Sequence, residues 1–174
     1  EGHHRPLEVW MQVFESVVSN YLKNVDRIIK NPHSKVRTQV LHAHADRIKR
    51  WTPAMEEEYA EKKAAEKLDE HYFRYSVYDK TVNSMENRFV KYTLQQIGKQ
   101  LENVFSTVLN RPLTEISQSY IDRWKKYQST IQKYLKHPFF DAVGKFEGMR
   151  QESLVLQGRM GYQQIYKNWL KLRK

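Results

Sequence analysis

Residues 84–108 read SMENRFVKYTLQQIGKQLENVFSTV, and their spacing decides the fold. Val90, Leu94, Ile97, Leu101, Val104 and Val108 step by 4, 3, 4, 3 and 4 residues. That rhythm keeps an apolar seam on one side of an α-helix, and Phe89 and Phe105 widen it. Ser84 is suited to cap the helix start. Asn110-Arg111-Pro112 then breaks the chain. Beyond it Ile116, Tyr120, Ile121, Trp124, Tyr127, Ile131, Tyr134 and Leu135 share one side of a second helix, which His137-Pro138 stops. Two amphipathic helices joined by a few residues predict an antiparallel α-hairpin over about 84–136. The tyrosines at 120, 127 and 134 lie on the Trp124/Ile131 side and read as core, not as a stacking platform.

Working outward, Pro6 suits the first turn of a helix that carries Trp10, Val13, Phe14, Val17, Val18, Tyr21, Val25, Ile28 and Ile29 at helical spacing. Asn31-Pro32 ends it. Residues 34–50 fit two readings: Val36, Val40, His44 and Ile48 suit a helix, while Val36, Thr38, Val40 and His42 alternate as in a strand. Thr52-Pro53 caps a helix reaching about Lys67. His71 to Tyr78 is aromatic and extended, a partner for 36–42 in a minor β-hairpin. Phe139, Phe140, Val143 and Phe146 form a short apolar turn, and a last helix starts near Tyr162. The fold class is mainly α, a helical bundle occupying 1–174 as a single domain. The opening Glu-Gly-His-His-Arg-Pro reads as the start of a fragment of a larger multidomain protein.

Composition limits the function. The 174 residues contain no Cys, which excludes thiol catalysis, disulfides and cysteine-ligated metal, and makes the reducing cytoplasm the expected compartment. No run reaches the ~18 apolar residues of a membrane span. Formal net charge is +10, from 30 Lys and Arg against 20 Asp and Glu. It is unevenly placed: residues 1–122 carry +1 and residues 123–174 carry +9. A positive end of this kind suits polyanionic partners. The acidic stretch from Glu56 to Glu70 reads as a solvated helix face.

Catalytic chemistry finds little footing. Gly-x-Ser-x-Gly and glycine-rich phosphate loops are absent. His42, His44 and Asp46 share a face only if extended, and on a helix they diverge, so a metal-dependent enzyme is the least favoured reading. Glu86 reads as first-turn stabilisation against the helix dipole. The assignment is therefore no catalytic residue, no metal and no cofactor in this chain. The basic side chains Arg123, Lys126, Lys133, Lys136, Arg159 and Lys167 are the candidate nucleic-acid contacts. Lys126 and Lys133, seven apart, lie on one side of their helix, opposite the apolar row. Such a surface follows phosphates without reading sequence; its alternative is a face that serves solubility.

Three stretches carry a resemblance. They are Ile28-Ile29-Lys30-Asn31-Pro32-His33, then Thr81 to Lys91 (TVNSMENRFVK), and Ser153 to Tyr162 (SLVLQGRMGY). In order over most of residues 7–172, they resemble the McrC-like nuclease subunits of McrBC-type modification-dependent restriction systems. The resemblance implies an N-terminal region engaging a ring-shaped GTP-hydrolysing AAA+ partner, and a C-terminal PD-(D/E)XK domain cutting DNA with Mg²⁺. This chain would be the helical middle, and no nuclease residue transfers to it. Glu86, Asn87, Arg88, Phe89 and Lys91 transfer as the motif helix, with Phe89 in the core and Asn87, Arg88 and Lys91 tying the helix to a neighbour or to DNA. The expected function is a non-catalytic linker touching the DNA backbone through its basic C-terminal half. The alternative is a structural or protein-interaction module that does not bind DNA.

Overall fold

The computed structural model describes residues 6–43, 51–64, 73–109 and 118–173. These form two compact units, one from residues 1–34 with 82–174 and one from residues 35–81. The larger is helical. Its first helix, α1 (Pro6–Lys30), opens on the proline and closes before Asn31-Pro32, with Lys30 and Asp26 paired at 2.7 Å one turn apart. Met11, Phe14, Val18, Tyr21, Leu22, Val25 and Ile28 form its buried face. The periodicity placed Trp10 and Val13 inward as well, but they stay 46% and 60% exposed. The stripe is wider than the surface its neighbours can cover.

The expected α-hairpin is present, as α3 (Met85–Leu109) and α4 (Gln118–Leu135). Ser84 caps α3 by accepting the Asn87 N–H at 3.2 Å. Phe105 packs edge-on against Trp124, and the Lys91 ammonium donates to the carbonyls of Phe140 and Val143. One residue number climbs as the other falls, so the two helices are antiparallel. Between these contacts Gly98 lets the helices approach closely, since a Cβ there would sit 3.3 Å from Ile131 Cγ2. Val90, Leu94, Ile97, Leu101 and Ile131 are fully buried, each contributing about 1.5–3 kcal/mol through removal from water.

Two short helices, α5 (Pro138–Asp141) and α6 (Leu154–Gly158), lead to α7 (Tyr162–Leu172). Asn168 of α7 donates to Asn20 of α1 at 2.8 Å, while the start of α7 lies against Ile28, so α7 runs antiparallel to α1. Gln12 meets Tyr120 at 2.9 Å and Glu15 meets Arg123 at 2.8 Å, so α1 and α4 run parallel. The four long helices thus form a bundle around one continuous core.

The smaller unit holds β1 (Lys35–Ala43), α2 (Pro53–Ala64) and β2 (Phe73–Thr81). The strands pair antiparallel from Lys35↔Thr81 to Ala43↔Phe73, as the alternating reading of 36–42 requires, so the helical reading of that stretch does not hold over 35–43. Residues 71 and 72 of the expected partner strand lie outside the described residues. Arg37 and Asp79 form a two-pronged pair across the ladder, at 3.0 and 2.7 Å. Thr52 caps α2 through the Met55 N–H, and Glu56, Glu57 and Glu61 point to solvent. Among the described residues, no helix is long and apolar enough to cross a membrane.

Candidate functional site

The three stretches singled out in the sequence come together at the start of α3. Asn87, fully buried, donates through its amide to the carbonyls of His33 and Val82, both at 2.8 Å. Its amide oxygen accepts the Tyr162 hydroxyl at 2.5 Å, and that hydroxyl accepts the His33 N–H at 2.7 Å. One carboxamide therefore joins the end of α1, the approach to α3 and the start of α7. Burial pushes the Tyr162 phenol up to about 12, despite the opposing His33 hydrogen bond. It remains a neutral donor at physiological pH.

Glu86 sits one residue earlier. It accepts the Ser153 hydroxyl at 2.7 Å and faces His33 Nε2 at 3.9 Å. Ser153 also caps α6 through the Leu156 N–H. Arg159, which can only donate, lies 3.3 Å from His33 Nδ1, so that nitrogen is the acceptor and the ring proton faces Glu86. Serine, acid and histidine are present, but the serine donates to the acid and does not touch the histidine, so the three do not form a serine–histidine–acid relay. The cluster is a tie between segments.

The rest of the motif helix acts likewise. Arg88 donates to Asn83 Oδ1 at 2.8 Å, and the same oxygen accepts the Gly144 N–H. Lys91 is held by the carbonyls of Phe140, within α5, and of Val143, just after it. Phe89 is buried against Phe146 and Tyr166. Asn87, Arg88 and Lys91 thus tie the helix to neighbouring segments of the chain. Of the metal trio, His42 stands on β1, while His44 and Asp46 lie outside the described residues. No cluster of three metal-ligating side chains occurs among the described residues.

A second feature lies between the parallel helices α1 and α4. A groove of about 660 Å³ is bordered by Lys23, Arg27 and Lys30 from α1 and by Arg123 and Lys126 from α4, with Asp26 as its one acid. Lys30 is engaged by Asp26, and Arg123 by Glu15 while lying 4.5 Å over the Tyr120 ring. Lys23, Arg27 and Lys126 have no ion-pair partner among the described residues. Tyr127 and Tyr134 border the groove and are half-buried against the core, not enclosed by it. Burial, then the nearby Glu15 and Asp26 respectively, raises both phenols.

Of the basic side chains proposed from the sequence, Arg123 and Lys126 meet at this groove. Lys133, Lys136 and Lys167 are exposed outside its border. Arg159 is committed to His33, to the Asn31 carbonyl and to the Tyr162 ring face. Lys23, Arg27 and Lys30 escaped the sequence reading because residues 1–122 are nearly neutral in sum. Their local signal was the spacing of four and three residues, which sets them in one stripe on α1.

No characterised protein and no solved structure matches the chain. Residues 1–169 match the family described as a domain of unknown function, DUF2357. With nearly its whole length matched, and with the matched span taking in both the polar tie and the basic groove, the chain belongs to the DUF2357 family.

Proposed function

We propose that this domain is a non-catalytic helical support that holds a nucleic-acid backbone along the α1–α4 groove. The observation that carries the reading is the convergence of Lys23, Arg27 and Lys126, without carboxylate partners among the described residues, with Lys30 and Arg123 around one groove bordered by a single acid. Cations so placed displace counterions from phosphates, giving an affinity that falls steeply with salt. The polar tie at Asn87 supports the non-catalytic part, because its donors and acceptors satisfy one another. By the resemblance to McrC-like subunits, the domain would work in the cytoplasm beside an AAA+ partner and a Mg²⁺-dependent nuclease domain, with chemistry performed outside this chain.

Fluorescence anisotropy with labelled DNA, titrated across salt concentrations, tests the reading. The chain should bind at low salt, and Lys23→Glu, Arg27→Glu and Lys126→Glu combined should abolish binding while helicity is kept. The same reversals at Lys133 and Lys167 should have a smaller effect. Absence of binding at low salt, or indifference to the triple change, sinks the reading. A protein-docking module is the second reading, favoured by the exposed row Val9, Trp10 and Val13 on α1. It predicts that polar substitutions on that row abolish partner capture while the groove substitutions do not.

A further inference from the structure

Resting on the backbone-binding reading, we infer that the α1–α4 groove takes unpaired nucleotides of a single strand and not an intact duplex. Size is the first argument. A volume of about 660 Å³ falls among small-ligand sites of roughly 300–1,000 Å³. A duplex keeps its bases stacked inside and offers a convex phosphate surface, which can rest on the rim but cannot lower a base between two helices.

The chemistry of the two walls is the second argument. On the α4 side Tyr127 and Tyr134 stand seven residues apart, which places both rings on one stripe about 10 Å apart along the axis. The Tyr127 hydroxyl donates to Glu15 at 3.2 Å, fixing that ring. On the α1 side Lys23, Arg27 and Lys30 span a similar length, and because α1 and α4 are parallel the cationic row runs alongside the aromatic one. Aromatic rings set beside a row of cations are the arrangement that binds single strands, with bases stacked on rings and phosphates on the charges. Paired bases have no use for the rings. Both phenols are shifted towards the neutral form, so they add no negative charge beside a phosphate.

The test compares the 174-residue chain binding a labelled oligo-dT strand and a blunt duplex of equal length, by anisotropy at low salt. The strand should bind at least about tenfold tighter. Tyr127→Leu and Tyr134→Leu should each weaken strand binding about tenfold and leave duplex binding unchanged. Tyr134→Phe keeps the ring and should keep the affinity, which separates stacking from loss of fold. Equal affinity for strand and duplex, or Leu variants that bind the strand as before, overturns this inference. If charge reversal at Arg27 and Lys126 still weakens both ligands in that case, the backbone reading stands alone. Failure of the chain to bind either ligand overturns both.

Discussion

The Tyr162 hydroxyl donates to Asn87 Oδ1 at 2.5 Å while accepting the His33 N–H at 2.7 Å, although the three residues are far apart in the chain. Asn87 in turn holds the His33 and Val82 carbonyls. These are the points where the helical unit gives way to residues 35–81 and resumes after them. A side chain with both donor and acceptor capacity is needed there, and a buried amide left with one partner fewer carries a desolvation penalty.

Asn87→Ala should therefore destabilise the chain by about 3 kcal/mol, because the His33 and Val82 carbonyls and the Tyr162 phenol each lose one hydrogen bond together. Tyr162→Phe should cost about 1–3 kcal/mol. Combined, they should cost clearly less than the sum, since both remove the same bond. Urea unfolding of the two single variants and the double variant measures the coupling. Strict additivity would show that the tie is not one unit.

Alkaline pH should weaken the fold in a defined window. Burial raises Tyr162 from 10.0 to about 12, and burial raises Tyr21 as well, against its hydrogen bond with Thr93. Phenols that ionise later in the folded chain contribute stability that is fully present below pH 10.0 and lost as pH rises through about 12. Unfolding free energy measured against pH should be level up to about 10 and fall above it. Tyr162→Phe should flatten that fall, leaving the part due to Tyr21. An unchanged slope contradicts the prediction.

Gly161 enters α7 with φ of +90°, and a Cβ there would meet Ile28 Cγ1 at 3.1 Å. Its N–H is bound by Gln164 Oε1 at 2.8 Å, which holds the turn. Gly161→Ala should lower stability by about 1–3 kcal/mol through backbone strain and that contact. Combining it with Ile28→Ala, which removes that Cγ1 atom, should give losses that nearly add, because φ and not the contact carries most of the cost. Thermal unfolding of the single and paired variants distinguishes the two causes.

Asp26 is the one acid bordering the basic groove, and it holds Lys30 at 2.7 Å. Asp26→Asn should release Lys30 and tighten oligo-dT binding severalfold. The slope of log affinity against log salt should steepen by about 0.7, the value for one more phosphate contact on a single strand. A titration series at several salt concentrations reads both quantities. An unaltered slope would place the phosphates elsewhere.

Much of the architecture was legible in the sequence, because helix formation and termination are local. The 4-3-4-3-4 seam from Val90 to Val108, the cap at Ser84 and the stops at Asn31-Pro32 and His137-Pro138 delimit helices without knowledge of partners. A short connection then leaves α3 and α4 little choice but to pack antiparallel. Residues 34–50 were not decidable in this way, since Val36 and Val40 satisfy both periods. Pairing of 35–43 with 73–81 selects the strand.

The sequence by itself determined four amphipathic helices, an apolar seam, a concentrated positive end and the absence of thiol chemistry, all properties of neighbouring residues or of sums. Only the tertiary structure decided what the polar residues do. The bonds of Asn87 to His33 and Tyr162 cross 54 and 75 positions, and that of His33 to Tyr162 crosses 129. Hydrogen bonds at such separations leave no periodic trace. The groove has the same origin: a net charge summed over residues 1–122 concealed Lys23, Arg27 and Lys30. Laying α1 parallel to α4 set them opposite Lys126, Tyr127 and Tyr134. Charge is additive along a chain, but a binding surface depends on which helix faces come to lie side by side.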